Sequence, residues 1–348
     1  MRVLQLAVLL LLLVPQVGSA VLVTSEAGTA TAPPDDPGWA HLGTRTGTTP
    51  SGSAANGLTL IYLGNGWVLT AKHVGEADLR LGGQTYLRVP GSATYFTSSN
   101  GNQADLLAFR VSGNPELPDL PALKIRDLSL AIGDDTVMIG RGQNRGSATM
   151  WFGPDLAMHH GWLWAPGAAM RWGTNQVTGL EIDPTDTTHA IVFDFTEPGE
   201  PGATANEGQA VLGDSGGAIF AKNGSTWELA GVLFGAAQFE GQNPASSLDG
   251  NLSLAADLSY YRSQILPVVR PECSDEIDNN ADGLIDYPAD WGCPSPSDDS
   301  EGGAELPGLS SVGGVSLVIS LGAWSVGWLR RRNPAPETEL RASPRYSG

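Results

Sequence analysis

The sequence predicts an all-β protein, and three observations carry that prediction. Short runs of strand character recur along the middle of the chain, at 58–63 (LTLIYL), 67–74 (WVLTAKHV), 104–111 (ADLLAFRV), 135–140 (DTVMIG), 190–195 (AIVFDF), 217–222 (GAIFAK) and 227–234 (WELAGVLF). Hairpin turns separate two pairs of these runs, GNG at 64–66 and NGST at 223–226. The composition, with 45 Gly and 24 Pro but only 16% charged residues, favours turns and short strands over long charged helices. Residues 257–267 (DLSYYRSQILP) alone have helical spacing, with a Pro at the end. Many short strands closed by one helix indicate a sandwich or a pair of barrels of about 210 residues. The 41% hydrophobic content is enough for a core of that size.

The ends of the chain have a different texture. Residues 1–20 (MRVLQLAVLLLLLVPQVGSA) place one Arg before an uninterrupted apolar run, then Gly18 and Ala20 at the −3 and −1 positions of a cleavage site. That order of charge, apolar run and small residues is a secretory signal peptide, so the mature protein is expected to leave the cytoplasm. Residues 21–37 begin a Thr-, Ser-, Gly-, Ala- and Pro-rich stretch that reads as an extended lead-in. Residues 306–329 carry no charge and end against Arg330, Arg331 and Arg332, which makes them a membrane segment with a positive stop. Several Gly and Ser make it weakly apolar, so a sorting tail that is later removed and a permanent anchor are both open. Residues 330–348 follow as a basic and then polar tail.

The net charge of −18 argues against a nucleic-acid partner, because phosphate binding needs a basic surface. Much of the charge is local: residues 271–305 hold eleven Asp and Glu and no Lys or Arg. Both cysteines, Cys273 and Cys293, lie in this segment, and in an exported protein a disulfide between them is the default expectation. Residues 141–189 read as a long irregular stretch containing Trp151, Trp162, Trp164 and Trp172. Aromatic residues in so long a connection pin it to the barrel, with lining of a cleft as the competing role. His159 and His160 belong to no ligand pattern and read as exposed loop histidines.

The segment VLGDSGGAIF, 211–220, holds Ser215 between an aspartate and two glycines. By composition this is a turn, since glycine accepts positive φ and Asp or Ser bonds nearby backbone. A serine hydroxyl becomes a nucleophile only when a base takes its proton and a third group orients that base. His73 ends the run WVLTAKHV, and Asp105 begins the apolar run DLLAFRV, where a carboxylate at the lip of a core strand stays charged only if paired.

The motifs LTAKHV, ADLLAFRV and GDSGGAIF resemble the His, Asp and Ser motifs of the trypsin/chymotrypsin-like serine proteases, in that family's order and over roughly residues 38–268. The resemblance implies two packed antiparallel β-barrels divided near residue 125 and a C-terminal helix. It implies a serine endopeptidase in which His73 is general base and then general acid, Asp105 orients it, and Ser215 forms an acyl-enzyme. The N–H groups of Gly213 and Ser215 would then make the oxyanion hole, and Gln209, Leu233 and Gly235 the specificity pocket. No cofactor is implied for catalysis, and the partner is a protein or peptide substrate. A neutral amide at Gln209 offers no carboxylate to a basic side chain, so the specificity is expected not to be tryptic.

Several positions depart from the family pattern. Lys72 stands where the family has Ala, and its side chain is expected to turn to solvent. Val74 and Val211 replace the cysteines that brace the His and Ser loops, so packing must do that work. Leu233 replaces a Ser and removes one hydrogen bond from Asp105. No start of the Ile-Val-Gly-Gly type follows an Arg or Lys ahead of the domain, so the amino terminus that pairs with the family's equivalent of Asp214 is not identifiable.

The acidic segment CSDEIDNNADGLIDYPADWGC has the alternating oxygen spacing of an EF-hand-like Ca²⁺ loop, with Gly283 at the sharp turn. Asp278, Asn280, Asp282, Leu284, Asp286 and Asp290 are the candidate ligands; Ala289 stands where a bidentate Glu is usual. The module, 271–300, resembles the short Asp-rich, Cys-bounded repeat found near the C-termini of exported bacterial proteins. A solvated acidic linker is the competing reading. The sequence as a whole reads as an exported, envelope-associated serine endopeptidase, placed in the periplasm, at the cell surface or outside the cell, with the tail meeting a membrane or sorting machinery. A catalytically inactive trypsin-like binding protein and a Ca²⁺-dependent adhesion or stalk protein are the alternatives.

Overall fold

Leu60 and Tyr62 face one core while Ile61 and Leu63, one residue out of step, face another, and all four are nearly inaccessible to solvent. A strand alternates its side chains across the sheet, so an apolar strand such as Thr59–Gly64 can serve two cores at once. That strand is the centre of the first sheet in the computed structural model, which describes residues 21–25, 29–47, 58–153, 156–167, 169–185 and 187–302. The expected leader at 1–20, the segment 306–329 and the tail 330–348 lie outside the described residues. Among the described residues no helix is long and apolar enough to cross a membrane.

The fold is all-β, as expected, and the described residues form two seven-stranded antiparallel sheets, two smaller sheets and one α-helix. In spatial order the first sheet runs Gln84–Tyr86, Asp78–Leu81, Leu42–Thr46, Thr59–Gly64, Trp67–Thr70, Gln103–Arg110 and Thr94–Thr97. The second runs Arg171–Gln176, Asp135–Gly140, Ala218–Asn223, Thr226–Ala237, Leu252–Asp257, His189–Asp194 and Gly179–Ile182. The first sheet ends and the second begins on either side of residue 125. The seven strand-like runs of the sequence all fall on strands of these sheets. The GNG turn is a two-residue hairpin with Asn65 at φ 49° and Gly66 at φ 80°, the double positive φ of a type I′ turn.

One core joins the sheets: Ile61, Leu69 and Leu106 from the first meet Ile139, Phe220 and Val232 from the second. The helix Leu258–Val269 covers this seam with Tyr261, Ile265 and Leu266. Each such side chain contributes about 1.5–3 kcal/mol by leaving water. Asp257 caps the helix by accepting from Ser259 N at 3.0 Å. Pro267 lies inside the last turn rather than at the end, since tertiary burial of Leu266 and Val269 carries the helix past it. The connection between the sheets is clamped as well: Leu229 N donates to Lys124 O and Arg126 N to Leu229 O. Glu228, fully buried, meets Lys124 Nζ at 2.6 Å and Arg126 at 3.1 Å.

Two stretches are more ordered than composition suggests. Residues 141–189 are not irregular: they contain the strands Asn144–Phe152, Met158–Ala165, Arg171–Gln176 and Gly179–Ile182. The first two of these pair with each other, and the second also pairs with Ser246–Leu248. Their half-exposed, Gly- and aromatic-rich faces lack the apolar alternation that marks a core strand. His159 is therefore a strand residue and is buried, 7% exposed, against Trp151 and Phe239 with Nδ1 3.0 Å from Asp249 O. His160 is exposed. Trp162 and Trp164 pack on Leu22, Phe195 and Val211, so they pin this sheet.

The lead-in is packed rather than extended. Leu22–Val23 pairs with Gly208–Gln209, and Thr29 is fully buried where its backbone carbonyl accepts from Trp172 N and its hydroxyl meets Arg171. The acidic segment likewise belongs to the same compact unit, residues 1–304. Cys273 and Cys293 form the expected disulfide, and Arg262 within the helix and Arg270 at its C-cap both reach Glu276.

Candidate active site

The strand Trp67–Thr70 delivers the chain into a single 3₁₀ turn, Lys72–Val74, at the end of which the His73 side chain is half exposed. Asp105 is in the strand Gln103–Arg110 and is 7% exposed. Its Oδ2 lies 2.6 Å from His73 Nδ1, and its Oδ1 accepts from the His73 backbone N–H at 2.9 Å. A carboxylate against Nδ1 selects the tautomer protonated there and leaves Nε2 as the proton acceptor. Asp105 N donates to Thr188 Oγ1 at 2.7 Å. Thr188, fully buried and 83 residues away, was not identifiable as a partner from sequence spacing. Lys72 Nζ donates to Gln103 O at 3.3 Å, away from the imidazole. Val74 and Val211 are buried, so apolar packing braces both loops.

Ser215 lies in a run of turns tied to the first sheet. Asp214 N donates to Val211 O, Gly216 N to Leu233 O and Gly217 N to Asp214 O. Among the described residues the N–H groups of Gly213 and of Ser215 itself have no acceptor. Gly213 sits at φ 102°, which L side chains rarely adopt. Ser215 O accepts from Thr59 N at 3.2 Å. A Cβ on Gly216, at φ 81°, would collide with Thr59 O and Thr70 Oγ1. Thr70 ends the strand that leads to His73, so this close approach sets the serine loop against the first-sheet strands Thr59–Gly64 and Trp67–Thr70.

Asp214 is 1% exposed. Its Oδ1 accepts from Gly142 N at 2.6 Å and Val21 N at 3.1 Å, and its Oδ2 from Val211 N at 2.8 Å. Burial pushes its pKa up to about 6, against the opposing pull of these N–H groups and that of Arg141. Gly140 and Gly142 make room for the carboxylate, since a Cβ on either would press on its oxygens. Sequence reasoning left Asp214 without a partner. Val21, 193 residues away, is one of the partners the structure supplies, and no local spacing marks it.

A cavity of about 360 Å³ opens beside Ser215, walled by Trp164, Ala210, Val211, Leu212, Leu233, Phe234, Gly235, Ala236 and Pro244 together with Asp214. Leu233 and Gly235 are both among its walls. Gln209 does not line the cavity; it pairs with Leu22 in a short ladder, 1% exposed, and its Oε1 has no partner among the described residues. Side chains alternate along a strand, so Ala210 faces the cavity in its place.

The candidate calcium ligands fall in two groups. Asp278, Asn280 and Asp282 share one turn, in which their oxygens accept the N–H groups of Asp282, Gly283 and Leu284. Asp286 accepts from Asp275 N and Glu276 N. Asp290 is buried and, with Glu301 and Cys293, forms a close cluster, but the sulfur is held in the disulfide and supplies no thiolate. Glu301 lay outside the predicted set. Asp275 and Asp286 have raised pKa values, first from burial and then from mutual and Glu301 repulsion, a donor set that suits a hard cation.

No protein-family model matches the chain, and no curated protein matches it in sequence. Among solved structures, neuropsin, a serine protease expressed in the limbic system of mouse brain, is similar at 15% identity and a TM-score of 0.45, over 70% of this chain and 98% of that one. Kallikrein-related peptidase 10 is similar at 15% identity and a TM-score of 0.42, over 67% and 97%.

Proposed function

We propose that the protein is an exported serine endopeptidase of the trypsin-like kind. The observation that carries this reading is the His73–Asp105 pair at 2.6 Å, together with a serine held on a glycine turn in which the N–H groups of Gly213 and Ser215 have no acceptor among the described residues. Ser215 Oγ attacks the scissile carbonyl while His73 Nε2 takes its proton, and Asp105 stabilises the imidazolium that results. Gly213 N–H and Ser215 N–H receive the oxyanion, each such donor contributing about 10²–10³ in rate. His73 then protonates the leaving amine, and water repeats the sequence to free the acid. The apolar cavity beside Ser215 takes the substrate side chain next to the scissile bond, so apolar side chains are favoured over Lys and Arg.

The segment 271–300 binds Ca²⁺ through Asp278, Asn280, Asp282, Asp286 and Asp290, with the Leu284 carbonyl, and takes no part in the chemistry. Support comes from the oxygen donors and the crowding of buried carboxylates. Residues 306–329 hold the protein at a membrane or mark it for sorting.

The test is a fluorophosphonate probe applied to the exported protein beside a Ser215→Ala control. Labelling that depends on Ser215, with cleavage of peptides bearing apolar rather than basic residues before the cut, is the expected result. Folded protein that takes no Ser215-dependent label would overturn the reading.

A further inference from the structure

Both carboxylate oxygens of Asp105 are spent on His73, Oδ1 on its backbone N–H and Oδ2 on Nδ1, and among the described residues no other donor reaches them. The carboxylate therefore takes its place from its own backbone. That backbone is irregular at Asp105. On one side the ladder to Trp67–Thr70 stops at Leu107. On the other, Tyr95 faces Leu107 and Thr97 faces Gln103, so the stretch from Gln103 to Leu107 lies opposite a shorter one. A bulge of this kind re-aims a side chain and leaves main-chain groups without ladder partners. The Asp105 N–H finds its acceptor in the other sheet instead: Thr188 Oγ1, at 2.7 Å, from a residue inaccessible to solvent.

The neighbours of Thr188 are tied to the same stretch. Thr187 Oγ1 donates to Asn100 Oδ1 at 3.1 Å, and His189 N donates to Tyr261 Oη at 2.9 Å, which lies 3.1 Å from Ser98 Oγ. Three consecutive residues at the head of the second-sheet strand His189–Asp194 thus hold residues 98–105 of the first sheet. Thr187 sits at φ 64°, an outlier for a β-branched residue, while its N–H bonds Asp183 O and Asp183 N bonds Thr188 O. Strain of this sort persists only where surrounding contacts over-determine it. We propose that Thr188 is a positioning residue for the reaction: its hydroxyl fixes the Asp105 backbone, and with it the angle at which the carboxylate meets His73 Nδ1. The effect on turnover rests on the endopeptidase reading; the effect on the His73–Asp105 pair does not.

Four variants test this. Thr188→Val keeps the shape but leaves the buried Asp105 N–H without an acceptor. Thr188→Ala opens space in which a water can take that N–H, and Thr188→Ser retains the hydroxyl. Thr136→Val is the matched control: Thr136 is 2% exposed, its hydroxyl donates to Asn175 O, and it lines a cavity that shares no residue with the one beside Ser215. In peptide turnover Thr188→Val and Thr188→Ala should lose about 10²-fold in kcat with KM within about 2-fold, while Thr188→Ser and Thr136→Val stay within about 3-fold of the parent in kcat. The proton on His73 Nδ1, followed by NMR with ¹⁵N-labelled histidine and assigned by its loss in His73→Gln, should resonate far downfield in the parent, Thr188→Ser and Thr136→Val. In Thr188→Val and Thr188→Ala it should move upfield or broaden away, with circular dichroism confirming that both fold. A resonance unmoved in those two variants, a kcat equal to that of the Thr136→Val control, or a Thr188→Ser protein that restores neither would overturn the proposal. A parent that cleaves no peptide and takes no Ser215-dependent label would remove the endopeptidase reading alone, and the resonance would still decide whether Thr188 positions Asp105.

Discussion

Asp105 binds His73 twice, through Oδ2 to the imidazole Nδ1 at 2.6 Å and through Oδ1 to the backbone N–H at 2.9 Å. One carboxylate therefore sets both the turn that presents the histidine and the tautomer it presents. Asp105→Asn keeps an oxygen for the backbone N–H but turns an amide N–H toward Nδ1. The imidazole must then carry its proton on Nε2, where it cannot act as a base. Activity on a peptide substrate should fall on the order of 10⁴-fold in kcat with little change in KM. A loss below 10-fold would show that Asp105 does not govern the tautomer.

Asp214 predicts a pH dependence of stability that its replacement removes. Burial raises its folded pKa to about 6 from an ordinary 3.8. The protonated form is then the one the fold prefers, so this group's contribution is complete below pH 3.8 and is lost as pH rises to about 6. The full loss is about 3 kcal/mol. Asp214→Asn keeps the shape but cannot ionise, and so lacks that loss. Urea midpoints of the parent protein and of Asp214→Asn should converge or cross as pH rises across this window, with the parent losing ground. All other titrating side chains are shared, so parallel profiles would mean that Asp214 does not titrate in it.

The strands and the close pairing of His73 with Asp105 are legible in sequence because each is announced locally. Short, continuously apolar runs mark the central strands of both large sheets, which are buried on both faces, and LTAKHV and ADLLAFRV each stand out within a few residues. What escapes reading is set by distant partners. Val21 and Asp214 are 193 residues apart, and Thr188 and Asp105 are 83 apart. Gly140 and Gly142 look like ordinary turn glycines until Asp214 fills the space they leave. The sheet formed by 144–152, 158–165 and 246–248 is missed for another reason. It packs one face on a few aromatics and leaves much of the other to solvent, so no clean period of two appears.

Calcium should raise the thermal stability of the whole protein. The carboxylates of Asp275 and Asp286 repel each other and Glu301 in a partly buried place, and a bound divalent ion removes that repulsion. At a free Ca²⁺ concentration 100 times its Kd the gain is about 2.7 kcal/mol. Calorimetry of the intact protein in chelator and in millimolar Ca²⁺ should show a rise of several degrees in Tm, and Mg²⁺ should give less because it demands six ligands in a tighter octahedron. Coincident transitions in chelator and Ca²⁺ would leave the segment as an acidic, disulfide-closed appendage to the helix.

Gly216 predicts that the catalytic junction depends on an absent side chain. Its φ of 81° alone penalises any L residue, and its missing Cβ leaves room for Thr59 O and Thr70 Oγ1, the first-sheet atoms nearest the serine loop. Gly224, in the exposed Asn223–Thr226 hairpin, has φ 61° and nothing within 4 Å of where a Cβ would stand. The two glycines share the conformational penalty and differ in the collision. Gly224→Ala should cost about 1 kcal/mol of stability and leave activity unchanged. Gly216→Ala should cost about 3 kcal/mol or more and push Ser215 off the histidine turn. A shift of about 1 Å at this junction is worth on the order of 10²-fold in kcat, so turnover should fall even at a temperature where the variant is fully folded. Urea denaturation of the two variants, with peptide turnover measured well below their midpoints, separates the outcomes: equal stabilities would show that the serine loop does not press on Thr59 and Thr70.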